Sequence, residues 1–522
     1  LLKLAINDWL DWLDNLAIKG AAGLGKSTLV NQAILERGLK ADYFGSSYKL
    51  GAEQVARLPI GAAISIRGRT HSADNMTPLC AKHEAAGALQ KAGLAHLTMP
   101  LLCGKVTNQA TGKRACPYSS NCGYLKQFQS TAPIRFYAHE YLTLDRTQLT
   151  NRDIDVAVID ESFRDSLEKN SFWSIADLMN QPESIYRELV TAIIENRLLS
   201  MNHLLDKLTE ILEDESNSKI PIHPEMDSSQ SAAKAKPLVD MKRKPTNFLR
   251  NCKQAIETNA ISRFYISKRD PSKICASYRK PIKFIPQGTP TAYLDASLVD
   301  SIVKTLNPDI RIVNIEATRK AHITQITDSA MSHHRLMEDN DYLSSRLIEL
   351  AYRKVKEHGV NGAVIAPKAW IEQHGHRLPE SVKVAHFGAL RGLNSLEQCD
   401  WLIQIGRIQP HIHDVEAVFR SWNPDKELPT VGNYLSQQKT LTTKQGHGAV
   451  ARTWVHADSR CNEILTSMRE QESLQGIDRL RLIHSKTVKN IYLLSNLPLP
   501  GLEPDEVTTV SYTHLRAHET DS

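Results

Sequence analysis

The segment Gly20-Ala21-Ala22-Gly23-Leu24-Gly25-Lys26-Ser27 satisfies the phosphate-loop pattern G-x-x-x-x-G-K-[ST] at every fixed position. No other feature narrows the fold as far. Glycines let backbone N–H groups converge on phosphate oxygens with no β-carbon in the way. Lys26 brings a point charge to the β- and γ-phosphates, and the Ser27 hydroxyl is a ligand for Mg²⁺. Leu16-Ala17-Ile18, just ahead of the loop, predicts a short buried strand. The run from Thr28 to Arg37 predicts an amphipathic helix with Gly38 as its stop. Strand, loop and helix together are the α/β setting of a nucleotide site. Gly20, Gly23, Gly25, Lys26, Ser27 and Thr28 are its candidate contacts.

A phosphate loop requires a second acidic site for its metal. Asp155-Val156-Ala157-Val158-Ile159-Asp160-Glu161 supplies an apolar strand that ends in two carboxylates. A strand end aims Asp160 at the Mg²⁺ shell, and Glu161 is placed to orient or deprotonate the attacking water.

At 522 residues the chain is long enough for three or four domains. With 41% hydrophobic and 23% charged residues it is neither a disordered nor a collagen-like chain. A net charge of +6 permits a polyanionic partner without demanding one. Eight cysteines are too few for a secreted disulfide scaffold. No apolar run approaches the ~18 residues of a membrane span, and the opening lacks a signal peptide's basic start and cleavage site. The expectation is a cytoplasmic protein with no membrane partner. The chain starts at Leu1 rather than Met, so an upstream portion is expected. The tail from Ser511 reads as foreign to what precedes it. Trp9 and Trp12 read as packing residues.

Further along, Asp42 to Leu50 reads as a strand with a Ser-rich exit, and Ile64 to Arg69 as a strand ending in two arginines. Then come Ala292 to Leu298, His386 to Asn394 (with Arg391-Gly392-Leu393-Asn394) and Gln475 to Arg481. The order of these motifs resembles the superfamily 2 helicases, in which ATP lies between two RecA-like lobes. Asp160-Glu161-Ser162 stands where that family has its DEAx box. Leu294 to Leu298 is similar to its Ser-Ala-Thr motif, with Asp295-Ala296-Ser297 in place of the usual residues. Arg391 to Asn394 is similar to the second-lobe G-x-x-R-G-x-N element. Gln475 to Arg481 is similar to the final Q-x-x-x-R-x-R motif. The resemblance makes Arg479 and Arg481 the arginine fingers and Gln475 a further nucleotide contact. An arginine supplied across a cleft makes hydrolysis depend on closure, and closure moves the strand-binding surfaces.

Cys80, Cys103, Cys116 and Cys122 fall in one stretch, between the Ile64–Arg69 run and the acidic strand; the other four cysteines are scattered. Four thiolates hold either zinc or a [4Fe–4S] cluster. The spacing C-P-x₄-C at 116–122 is wider than a zinc knuckle's. The location resembles the iron–sulfur helicases of the XPD and DinG type, whose four-cysteine domain is inserted in the first lobe. Ile134 to Leu142 is similar to the segment that follows it. In that resemblance the domain is a wedge at the strand junction, with Lys105, Lys113, Arg114 and Lys126 as candidate phosphate contacts. A solvated charged face is the plainer account of those four.

The expected fold is α/β, with two RecA-like P-loop lobes built on parallel sheets, a cysteine insertion and a helical insertion. Lobe 1 takes residues 1–165, with the cysteine insertion at about 70–130, and ends over 281–323. Residues 166–280 hold the helical insertion (apolar periodicity from Leu189 to Leu212) and a polar linker from Asp214 to Pro245, which includes Lys242-Arg243-Lys244. Lobe 2 takes 324–500, with Gly362–Pro367, Val382–Phe387 and Trp401–Ile405 as strands, and 501–522 is a tail. The three histidines near 386–413 lack metal-ligand spacing. The function implied is an ATP- and Mg²⁺-dependent helicase or translocase acting on nucleic acid, DNA first. It would be of the type found in phage, plasmid or prophage replication modules, with replication proteins as further partners. The alternatives are a double-strand translocase and a nucleotide-dependent switch without unwinding.

Overall fold

The structure is a computed structural model that describes residues 1–71, 77–92, 94–108, 113–217, 220–238, 245–338, 341–390, 395–428 and 432–509. Arg391-Gly392-Leu393-Asn394, Lys242-Arg243-Lys244, the tail from Ser511 and the Lys113 side chain lie outside the described residues. The chain divides into two compact units. One comprises Leu1–Val30, Tyr293–Phe419 and Pro429–Ser522; the other comprises Asn31–Ala292 and Arg420–Leu428.

The first unit is built on a six-stranded sheet with strands in the order Lys383–His386, Gly362–Ala366, Trp401–Ile405, Lys489–Leu494, Ala321–Ile326 and Glu506–Thr508. Every neighbouring pair is parallel, with Val364 opposite Ile403 and Ile323 opposite Ile491. Gly362–Ala366 and Trp401–Ile405 are buried at every residue, because helices cover both faces of a parallel sheet. Side chains alternate between the faces. Ala363 and Ile365 join one core with Leu474, Ile477 and Leu480 from the end of the Ser459–Asp478 helix and the turn after it. Val364 and Ala366 join the other, with Trp370 and the Leu343, Leu347 and Ala351 stripe of the Tyr342–His358 helix. In the same unit Leu16–Gly20 pairs in parallel with Arg311–Ile315. An antiparallel hairpin, Leu435–Thr442 with Gly448–Val455, stands apart.

The second unit holds four parallel strands in the order Val156–Asp160, Ala41–Gly45, Ile134–Ala138 and Ala63–Ser65. The first three are buried until their last residue, where the chain emerges. Carboxyl ends of parallel strands are where α/β sheets place their ligands. The expected α/β class with parallel sheets is therefore observed in both units.

Three local expectations change. The strand read over Asp42–Leu50 stops at Gly45, because Ser47 caps the helix Tyr48–Ala56, its Oγ accepting from Leu50 N–H at 3.3 Å. The helical insertion opens as a strand, Glu168–Ser174, paired antiparallel with Lys273–Arg279, a partner about a hundred residues away that local periodicity does not reveal. The helices Ser184–Ile194, Leu205–Asn217 and Thr246–Glu257 then share one core with that sheet. The polar stretch contains the helix Ser228–Ala235, started by a capping box at Asp227 and Gln230. Its Ala235 packs with Ala85, Ala86 and Leu89, so small apolar residues inside a polar segment supply a packing face. Trp9 is fully buried, as read; Trp12 is exposed, with the Arg311 guanidinium 5.0 Å from its ring centroid. No helix among the described residues is long and apolar enough to cross a membrane.

Candidate nucleotide site and cysteine recess

The Leu16–Gly20 strand delivers the phosphate loop, and the helix Lys26–Glu36 begins at the lysine itself. Gly23 and Gly25 have φ of +90° and +79°, the left-handed backbone that a side chain resists. Lys26 is buried and its Nζ donates to the carbonyls of Gly20 (2.6 Å) and Ala21 (3.1 Å), which folds the loop around its own cation. Ser27 and Thr28 follow in the first turn, Thr28 exposed.

The motif read at Gln475–Arg481 straddles the end of the Ser459–Asp478 helix. Gln475 is half-buried on that helix and Arg479 is buried just past it. Arg481 takes a left-handed conformation (φ 56°) and lies on the phosphate loop: its Nη1 is 2.8 Å from where a Gly23 β-carbon would stand. His484 also reaches the loop, with Nε2 2.6 Å from the Gly23 carbonyl oxygen. Asp478 braces this turn. It is buried and accepts two hydrogen bonds from Arg319, at 2.7 and 3.0 Å. Bidentate pairing of this kind fixes direction as well as distance. The structure thus brings Gly23 and Arg481 together.

In the second unit, Asp160 and Glu161 leave the Val156–Asp160 strand at its carboxyl end. The Tyr43 hydroxyl donates to Asp160 Oδ2 from the adjacent strand. Glu161 N–H donates to Asp160 Oδ1 at 3.0 Å, and the Ser46 hydroxyl donates to Glu161 Oε2 at 2.5 Å. His139 Nε2 lies 2.8 Å from the Asp160 carbonyl oxygen, so it donates there. Glu161 is left-handed (φ 62°), a conformation a non-glycine residue keeps only when its surroundings impose it. Nothing local in the sequence marks Tyr43, Ser46, His139 or His484 as site residues, apart from the Ser-rich exit of the Asp42 strand, which hints at one of them.

All four clustered cysteines line one recess, alongside Lys82 and Tyr118. Cys80 and Cys103 are buried, and Cys116 and Cys122 are half-buried. Burial pushes the Cys116 and Cys122 thiols up from their ordinary value. The Arg69 guanidinium lies 3.5 Å from Cys80 Sγ and 3.4 Å from Cys103 Sγ. Lys82 is buried and donates to the carbonyls of Pro224 (2.6 Å) and Leu102 (3.4 Å). Four soft donors around one recess, with the half-buried Arg69 and buried Lys82 beside them, fit a tetrathiolate metal centre in type and charge. As placed, no three His, Cys, Asp or Glu groups among the described residues converge to metal-ligand geometry. Arg114, a candidate phosphate contact, spends its guanidinium on the carbonyls of Gly104 and Gln148, at 2.7 and 2.8 Å. Lys105 and Lys126 are exposed.

No protein-family model matches the chain, and no curated protein matches it in sequence. Among solved structures the chain is similar to an XPD helicase, at 11% identity and a TM-score of 0.48, covering 95% of this chain and 94% of that one. It is also similar to Xpd4 of S. tokodaii, at 12% identity and a TM-score of 0.42, covering 100% and 97%. A third likeness is to the DEAH/RHA helicase HrpB of Escherichia coli, at 9% identity and a TM-score of 0.35, covering 97% of this chain and 44% of that one.

Proposed function

We propose that this chain is an ATP-hydrolysing motor that acts on nucleic acid, a helicase with two RecA-like lobes. One observation carries the reading: Arg481 lies on Gly23 of the phosphate loop. An arginine against that loop is placed to meet the charge that develops on a γ-phosphate. Lys26 holds the β- and γ-phosphates, Glu161 orients the water, and Arg479 and Gln475 support Arg481 from the same turn and helix. Ser27 and Asp160 offer a hydroxyl and a carboxylate, the hard oxygen donors that suit Mg²⁺, which neutralises phosphate charge when bound. The lobes are assigned to residues 1–165 with 281–323, and to 324–500. Residues 166–280 are an insertion, and the cysteine recess is a zinc or [4Fe–4S] centre within 70–130. DNA is the first candidate track, and replication or repair the setting.

The test is ATP turnover with and without single-stranded DNA, at several salt concentrations. Turnover should rise with DNA, fall as salt weakens backbone binding, and vanish in Lys26→Ala. ATP hydrolysis that no nucleic acid stimulates would favour a nucleotide-dependent switch. Stimulation by duplex alone, with no strand separation, would favour a double-strand translocase. Full turnover by Lys26→Ala would overturn the nucleotide site.

A further inference from the structure

Two groups from the turn after the Ser459–Asp478 helix meet the phosphate loop, and one of them is not an arginine. His484 Nε2 stands 2.6 Å from the Gly23 carbonyl oxygen. A carbonyl oxygen only accepts, so Nε2 carries the proton and the imidazole donates. The turn that presents His484 is closed on itself. Arg481 N–H donates to the Asp478 carbonyl, and His484 N–H to the Arg481 carbonyl, both at 3.0 Å. It is also tied down at both ends: Arg319 grips Asp478, and Lys489 Nζ donates to the Leu480 carbonyl at 3.0 Å. His484 is therefore offered from a braced support rather than from a free loop.

The bond acts on a peptide plane. In a trans peptide the C=O of one residue and the N–H of the next point in opposite directions. Holding the Gly23 carbonyl toward His484 therefore turns the Leu24 N–H to the opposite side. Phosphate loops bind through such N–H groups, so whatever holds a carbonyl also orients a donor. Gly23 is left-handed and carries no side chain, so its own sequence leaves this plane weakly determined. The carbonyls of Gly20 and Ala21 are held from inside the loop by Lys26, and that of Gly25 by the Leu29 N–H of the following helix. At Gly23 the tether comes from outside.

We infer that His484 is a positioning residue for the nucleotide: it fixes the Gly23–Leu24 peptide so that the loop is organised before phosphate arrives. This rests on the ATP reading above. The expected signature is a change in affinity, because a preorganising contact lowers the cost of binding and touches no reacting atom.

The experiment titrates a fluorescent ADP analogue into the wild-type chain and into Lys26→Ala, His484→Ala and His484→Gln, with ATPase KM and kcat and melting temperatures measured in parallel. His484→Ala should weaken binding about three- to tenfold, the loss of one net hydrogen bond. KM should rise with it, kcat should move less than KM, and the melting temperature of this exposed position should hold. His484→Gln, which keeps an amide donor, should recover most of the affinity. Wild-type affinity and KM in His484→Ala would overturn the inference, as would a loss that merely follows a fallen melting temperature. If His484→Ala does not fold, His484→Gln decides alone: near-wild-type affinity supports the tether and a tenfold loss overturns it. A wild-type chain that binds nucleotide no better than Lys26→Ala would bring down the ATP reading and this inference with it. Loss in Lys26→Ala without loss in His484→Ala brings down the inference alone.

Discussion

Arg481 fills the space that a β-carbon on Gly23 would need, with Nη1 2.8 Å from that position. The guanidinium is the far end of a flexible side chain, so Gly23→Ala can be accommodated by moving Arg481 away. The alanine also enters a backbone with φ +90°, at a cost of about 1 kcal/mol. Gly23→Ala should therefore lower ATP turnover chiefly by displacing Arg481. Arg481→Ala alone should cost on the order of 10³ in kcat, the scale of a lost arginine finger. The two changes share one cause, so the double variant should lose little more than Arg481→Ala. Steady-state kinetics of the cycle decide it. Fully additive losses would mean that the contact has no part in turnover.

Glu161 is held by the Ser46 hydroxyl at 2.5 Å, and its backbone N–H by Asp160 Oδ1 at 3.0 Å. A carboxylate fixed this way suits one water geometry. Glu161→Gln should leave nucleotide affinity within about twofold and lower kcat by about 10²–10⁴, as for loss of a general base. Ser46→Ala should lower kcat by a smaller factor, because the carboxylate remains but is less well aimed. Binding and turnover measured on the same preparations separate the two effects. A Glu161→Gln chain with normal kcat would remove this residue from the chemistry.

The strand, glycine-rich loop and helix at 16–36 and the buried strand that ends at Asp160 were legible in the sequence because the pattern that marks each is local. Glycines, lysine and hydroxyl must be neighbours to cradle a phosphate, and a buried run must stop where its carboxylates emerge. The fully buried runs at 362–366 and 401–405 were legible for a similar reason: a strand covered on both faces shows as uninterrupted apolar sequence. What escaped was assembled across distance. Tyr43 meets Asp160 because two parallel strands place Tyr43 opposite Val158, a register that nothing in either segment records. Arg319 meets Asp478 across about 160 positions. His484 follows the arginine motif as an ordinary polar residue, and only the closed turn reveals its direction. The strand at 168–174 was hidden in the same way, since its pairing partner follows the helices it precedes.

Asp458 caps the helix that leads to Arg479 and Arg481, its carboxylate accepting from the N–H groups of Arg460 and Cys461. The Arg460 side chain also donates to it, and chiefly for that reason its pKa lies below the ordinary carboxylate value. A depressed folded-state pKa means that stability is present above the unfolded value near 3.9 and is lost as pH falls through the folded one. Asp458→Ala should cost about 1 kcal/mol at neutral pH. Asp458→Asn should retain most of the cap, and its stability relative to wild type should improve below about pH 4. Urea unfolding at neutral pH and at the lowest pH where the wild type stays folded tests this. A parallel acid response in wild type and Asp458→Asn would refute it.

The four thiols around one recess make a prediction about metal. Burial raises the Cys116 and Cys122 thiols, so as free groups they stay protonated at neutral pH; a bound metal reverses that by favouring thiolate. Four thiolates around a [4Fe–4S] or zinc core leave net negative charge, and the half-buried Arg69 and buried Lys82 supply two positive charges beside it. Anaerobically purified protein should carry metal. About four irons per chain with a broad visible band would identify the cluster, and one zinc without colour the alternative. Cys103→Ser should lose the metal and lower the melting temperature, because three thiolates hold the core poorly and its loss leaves the Arg69 and Lys82 cations without their countercharge. Cys399→Ser is the control: Cys399 sits in the other unit, in the core of the six-stranded sheet, and its loss should leave the metal in place. No metal in the anaerobically purified wild type, together with no fall in melting temperature in Cys103→Ser, would show that the recess is packed thiol and nothing more.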